Sequence, residues 1–188
     1  MNNPHRRQFL GRSLGVAHVA MASVLLPGTA RAFAPESANG ARRLSFNHLH
    51  TRERTALVYA VGGDFVQPAL THLNHFLRDH YSGEVGQMDP ELYHVLHRVR
   101  RELGTELPFH VISGYRSPHT NETLRTTRGG GVARRSLHMD GKAIDVRLPG
   151  VPLTDLRDAA ISLQAGGVGF YGREDFVHID TGRVRSWG

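Results

Sequence analysis

The chain has 188 residues, of which 39% are hydrophobic and 21% charged; this is enough for one domain with a core, and it excludes both a chain disordered throughout and a polytopic membrane protein. There is no cysteine, so a disulfide framework, a thiolate nucleophile and a Cys-ligated metal are excluded, and any metal must be held by histidine and carboxylate. The formal charge is +6, but residues 1–32 carry Arg6, Arg7, Arg12 and Arg31 with no acid, and removing those four leaves +2 on the remainder, too little for a nucleic-acid partner.

The leading segment reads as an export signal. Arg6-Arg7-Gln8-Phe9-Leu10 resembles the twin-arginine consensus and precedes an apolar stretch from Leu14 to Leu26. Pro27-Gly28 breaks that stretch, and small residues around Ala30 and Ala32 follow as a cleavage region. The apolar run falls short of the roughly 20 residues that span a bilayer, so no stable membrane insertion is expected after cleavage. The expected organisation is a signal at 1–32, a linker at 33–43 and a single domain at 44–188 working in the periplasm.

Leu44 to His50 alternates apolar and polar residues, as a half-buried strand does, and Thr55 to Val61 reads as its hairpin partner. Leu70, Leu73, Phe76 and Leu77 recur at helical spacing within Gln67–Tyr81. Asp89-Pro90 opens a second helix whose apolar stripe is Leu92, Val95, Leu96, Val99 and Leu103, with Gly104 ending it. Short apolar runs come next, at Phe109–Ile112, Ala143–Leu148, Val168–Tyr171 and Phe176–Ile179, with one helix at Leu153–Leu163 among them. The pattern predicts an α+β fold in which helices pack on a small, mostly antiparallel sheet. Arg128 to Arg135 is Gly-rich and basic and reads as a surface loop.

Three stretches could carry chemistry. In Ser136 to Asp145 a turn at Gly141 brings His138 back over a strand on which Ala143, Asp145 and Arg147 face one way and Ile144, Val146 and Leu148 the other. In Asp175 to Asp180, Val177 and Ile179 point to the core while Phe176, His178 and Asp180 share the opposite face. If the two strands are neighbours, His138, Asp145 and His178 form a His/Asp/His set with a fourth position for water, the pattern of a catalytic zinc site. The third stretch, Ile112 to Pro118, delivers Arg116 at a strand end, where it can bind a carboxylate or steady an oxyanion. On the residues alone, solvated strand-borne histidines are an equal reading of the first two stretches, and a solvated loop arginine is the commoner reading of the third. His48, His50, His72, His75, His80, His94, His97, His110 and His119 are assigned no role.

Together and in this order, these pieces resemble the LAS zinc metallopeptidases, which share the lysostaphin, D-Ala-D-Ala carboxypeptidase and Hedgehog-like fold. The S-x-H-x-x-G-x-A-x-D stretch at Ser136–Asp145 is the specific signature. Asn47–Thr51, Leu73–Asp79, Ile112–Ser117, Ala165–Gly169 and Phe176–Gly182 bring the resemblance closer to YcbK-like murein endopeptidases. The resemblance implies one Zn(2+) ion held by His138, Asp145 and His178, with Arg116 at the scissile carbonyl. The general base it implies is Asp175, three residues before the last ligand; Asp180 competes, because strand alternation points it the same way as His178. The implied substrate is the cross-linking peptide of peptidoglycan. A carboxypeptidase on the same peptides and a non-catalytic metal-containing wall-binding module remain alternatives.

Overall fold

The computed structural model describes residues 40–127 and 132–188. The expected export signal, most of the linker and the start of the Arg128–Arg135 loop lie outside the described residues. The elements run in the order β1 (Ala41–His48), β2 (Arg54–Val61), β3 (Asp64–Phe65), α1 (Gln67–Phe76), α2 (Glu91–Glu102), β4 (Phe109–Ser113), α3 (Pro118–Thr127), β5 (Ala143–Arg147), α4 (Leu153–Ser162), β6 (Gly167–Tyr171), β7 (Phe176–Asp180) and β8 (Arg185–Trp187).

One eight-stranded sheet has the order β3-β2-β1-β4-β5-β7-β6-β8. Neighbours are antiparallel except β1 with β4 and β6 with β8, which are parallel. The α+β, mostly antiparallel expectation holds. What periodicity did not reveal is that the first hairpin joins the sheet of the later strands, through the pairing of Phe46–His48 with Phe109–Val111.

Three boundaries differ by two residues or more from the sequence reading. β1 starts at Ala41, inside the segment read as linker, because Ala41 pairs with Val61 and the Arg43 carbonyl accepts a bond from buried Arg100 at 2.7 Å. It ends at His48, where the chain turns. α1 stops at Phe76 and does not run to Tyr81: the Asp79 carboxylate accepts the backbone N–H groups of Tyr81 and Ser82 at 2.9 and 3.4 Å, an Asx turn that competes with helix. No helix of the described residues is long and apolar enough to cross a membrane.

α1 packs on β2, α2 on β1 and α4, and α4 on β6 and β7, so one face of the sheet is covered. α2 buries Leu92, Val95, Leu96 and Val99, and each such side chain contributes about 1.5–3 kcal/mol. Asp89 caps that helix by accepting the Glu91 N–H at 3.0 Å. The same residue accepts the Thr181 hydroxyl at 2.6 Å and donates its N–H to the Gly141 carbonyl at 2.9 Å. The start of α2 is therefore tied to both segments that carry the expected metal ligands. Ile144, Val146, Val177 and Ile179 are buried under α4 and α2, which leaves the alternate residues of β5 and β7 to the opposite face.

His48 closes the β1 turn. Its Nδ1 accepts the backbone N–H groups of His50 and Thr51 at 3.3 and 3.5 Å, and its ring lies edge-on to Phe76. Burial, then the neighbouring His80 and His50 and the more distant Arg78, push its pKa down to about 4, with only Glu53 acting the other way. A histidine whose folded pKa lies below its ordinary 6.5 takes up its proton more readily in the unfolded chain, so stability is full above about pH 6.5 and lost as pH falls toward 4. The loss reaches up to about 3 kcal/mol. His48→Asn keeps a side-chain acceptor without the titration. Denaturant melts at pH 7 and 4.5 are expected to lose clearly more stability for the wild type than for this variant; parallel losses would show that His48 is not the linked group.

Candidate active site

The register of β5 and β7 decides what meets on the open face. Asp145 lies directly opposite His178 in the antiparallel ladder. On β4 a register shift between Val111 and Ser113 breaks the alternation and brings Ser113 opposite Asp145, on the same face. His138 arrives from the preceding turn, closed by Gly141 N–H to the His138 carbonyl at 3.3 Å and Lys142 N–H to the Leu137 carbonyl at 2.9 Å. Gly141 has φ +66°, and a Cβ there would sit 1.9 Å from the Gln87 carbonyl oxygen, so glycine is required twice over.

The three side chains converge as expected. His138 Nε2 lies 3.2 Å from Asp145 Oδ1, His178 Nδ1 lies 2.9 Å from the same oxygen, and the two ring nitrogens are 3.2 Å apart. Zinc about 2.0–2.1 Å from each of three tetrahedral donors would set those donors about 3.3 Å apart, so the spacing suits that ion. Among the described residues this is the one His/Asp/Glu group with metal-holding geometry.

The outer bonds fix which nitrogen faces inward. His138 Nδ1 points at the Gly114 carbonyl, 2.7 Å away, and must carry a proton there, leaving the Nε2 lone pair turned toward Asp145 and His178. His178 Nε2 faces Asp180 Oδ2 at 3.1 Å, a carboxylate that only accepts, so Nδ1 is the nitrogen that could take a metal. Gly114 permits its contact because a Cβ there would lie 2.6 Å from the Leu77 carbonyl oxygen. The electrostatics favour a cation between the donors. Burial alone would lower the His178 pKa, yet hydrogen bonds with Asp145 and Asp180 push it up to about 9. Burial alone would raise Asp145, yet His138 and His178 hold it below the usual carboxylate range.

The two carboxylates considered as the base occupy different surroundings. Asp180 is fully buried behind the His178 ring. It accepts the N–H groups of Gly167 and Gly182 at 2.9 and 2.8 Å and the Arg185 guanidinium at 2.7 and 3.2 Å. Burial opposes its ionisation, but the bonds from His178 and Arg185 hold it below the ordinary range. Such a carboxylate has little proton affinity and no lone pair turned toward a substrate. Asp175 enters β7 in the left-handed region, φ +58°, so its side chain escapes strand alternation. It pairs with Arg147 on β5, and its side chain is 60% exposed. The residue beside it, Glu174, lines the cleft.

Arg116 stands where the strand-end reading put it. Its N–H donates to the His138 carbonyl at 3.2 Å, and its guanidinium is 3.9 Å from Asp145 Oδ2. Its loop is pinned by Asp79, whose buried carboxylate accepts the Ser117 N–H at 2.9 Å and is brought down to about 2 when bonds from Thr120, Ser117 and Tyr81 outweigh burial.

The triad and Arg116 open into a cleft of about 460 Å³, a size suited to a short peptide. One wall is aromatic: Tyr171 and Phe176 stack at 4.5 Å, and Trp187 donates Nε1–H to the Tyr171 hydroxyl at 3.1 Å. His50, His80, Arg135 and Glu174 also line the cleft. Sequence reasoning gave His50, His80 and Glu174 no role. His50 falls in the Asn47–Thr51 word that carried the resemblance, which was the available signal; His80 and Glu174 offered none.

Comparison with known proteins now adds to the geometry. Residues 36–187 match the Peptidase_M15_2 family, described as peptidoglycan L,D-endopeptidase MepK. The chain is 43% identical over 174 residues to the peptidoglycan L,D-endopeptidase MepK of Escherichia coli (strain K12), covering 93% of this chain and 94% of that protein, and equally so to that of Shigella flexneri. It is 37% identical over 175 residues to the probable peptidoglycan L,D-endopeptidase MepK of Haemophilus influenzae, covering 93% and 92%. With the His/Asp/His set at the centre of its cleft and a match along nearly the whole described chain, this protein belongs to the MepK family of LAS-type peptidases, Peptidase_M15_2.

Proposed function

We propose that this chain is a zinc-dependent peptidoglycan endopeptidase that cuts cross-linking stem peptides in the periplasm, reached by the twin-arginine route. The observation that carries the reading is the convergence of His138 Nε2, Asp145 Oδ1 and His178 Nδ1 within 4.8 Å of one another, each imidazole held from behind, at the base of a peptide-sized cleft. The activity for which the relatives are named supports an endopeptidase over a carboxypeptidase and over a wall-binding module, and it extends to this chain the proposal that an L,D bond is cut.

Zinc bound by these three side chains would supply Lewis acidity, lowering the pKa of water and polarising the scissile carbonyl. The chain's own residues do the rest. Arg116, positioned by the His138 carbonyl and by the Asp79 loop, directs its guanidinium to the oxygen that gains charge as the carbonyl is attacked. Asp180 is a positioning residue: it keeps the Nε2 proton on His178 and orients the ring. The proton of the attacking water passes to an acid at the head of β7 and from there to the leaving amine. We assign that role to Asp175, by its spacing from His178, on exchange of its exposed pairing with Arg147. Glu174 is the second reading, favoured by its place on the cleft wall.

Three outcomes test this assignment. Purified residues 33–188 should bind one zinc and convert cross-linked muropeptide dimers to monomers. His138→Ala should lose the metal and reduce kcat/KM by at least about 10³-fold, and dimers that persist with zinc-loaded wild type would defeat the enzyme reading. Asp175→Asn should reduce kcat by about 10²–10⁴-fold with zinc retained, while Glu174→Gln changes it little; the reverse pattern moves the base to Glu174. Asp180→Asn should weaken zinc affinity by about 10–100-fold yet recover most of its kcat at saturating zinc; a kcat that stays low with metal bound would make Asp180 the base after all.

A further inference from the structure

The cleft holds more positive charge than the metal ligands and Arg116 use. Arg116, Arg135 and Arg185 line it against the carboxylates Asp145 and Glu174. Arg185 is committed to Asp180 through both terminal nitrogens and lies over the Trp187 ring at 4.8 Å. Asp145 is committed to the two histidines. Arg135 has no ion pair or hydrogen bond to any described residue.

Its place on the wall is nevertheless built. Two residues before it, the Ala133 carbonyl accepts Nδ2–H of buried Asn121 at 3.1 Å. On the other side, buried Ser136 accepts the Met139 N–H at 3.0 Å, in the same turn that carries His138. The neighbouring Arg134 does not line the cleft; after Arg125, its charge helps keep Glu122 ionised. Of two adjacent arginines, one lies toward the exposed Glu122 and the other is on the cleft wall. His50 and His80 line the same cleft with parallel rings, 5° apart in plane and 4.1 Å between centroids. Glu174 also lines the cleft, and among the described residues no ion pair joins it to Arg135; a guanidinium held there without such a pair fits a ligand that brings the anion, which it matches in bidentate fashion when that anion is a carboxylate.

We propose that Arg135 forms a subsite for a free carboxylate of the substrate peptide beside the scissile bond. The enzyme then selects cross-links whose flanking residue carries an acid over those in which it is amidated. The proposal rests on the endopeptidase reading and adds a specificity determinant apart from the metal centre and from Arg116.

The test uses two muropeptide dimers that differ only in whether the diamino acid next to the cut carries a free or an amidated carboxylate. Zinc-loaded wild type, Arg135→Gln and Arg134→Gln are compared by kcat, by KM and by equilibrium binding of both dimers. Wild type and Arg134→Gln should show a KM and Kd about tenfold or more lower for the acid. Arg135→Gln should raise both to the values of the amide while leaving the amidated dimer and the zinc content unchanged. Equal effects of Arg135→Gln on both dimers, or no preference in the wild type, would overturn the subsite. If the wild type cleaves neither dimer the endopeptidase reading fails, and the Kd comparison still decides whether the carboxylate is recognised.

Discussion

A carboxylate taken almost out of water is the constraint around which the site is arranged. Asp145 has little solvent to stabilise its charge, so it needs cations or strong donors on every side, and the fold supplies two imidazoles and the more distant Arg116 guanidinium. Each supplier is itself held. His138 is fixed from Gly114, His178 from Asp180, and Arg116 through the Asp79-anchored loop. Asp180 repeats the problem one layer deeper, and Arg185 with two backbone N–H groups answers it. The result is a chain of charge-compensated groups that runs from Arg185 on the last strand, through Asp180 and His178, to Asp145 in the cleft.

The rigidity of that centre follows from where it sits. β5 and β7 are central strands whose other face is packed under helices, so their backbones cannot shift without opening the core. The His138 turn is braced by Asp89, which also caps α2 and holds Thr181 just beyond β7. A single aspartate thus couples helix initiation to the spacing of two ligand-bearing segments. The cleft walls are of another kind. They come largely from loops after β1 and α1, from the segment before His138 and from the last strand, and such segments can vary in sequence without disturbing the His/Asp/His set.

The two candidate bases illustrate how far strand alternation carries an argument. Alternation put Asp180 beside His178, and the structure places it there, but behind the ring and saturated with donors. Alternation turned Asp175 away, and the structure instead removes it from the alternation through a positive φ. Neither environment follows from two-residue periodicity, because both depend on partners from elsewhere: Arg185 and Gly167 for one, Arg147 for the other.

By itself the sequence determined the apolar periodicity of α2, β5 and β7, and hence that Asp145 and His178 lie on a face opposite the core. It also determined that a turn at Gly141 returns His138 toward that face, since these are local properties of backbone geometry and side-chain polarity. The family resemblance supplied the joint meaning of the three motifs, which spacing alone left undecided. Only the tertiary structure decided that β1 pairs with β4, that α1 ends on the Asp79 Asx turn, and that His50, His80, Glu174 and Arg135 share a cleft with the triad. These depend on contacts between segments remote in the chain, where many pairings satisfy the local pattern and packing of the whole sheet selects one.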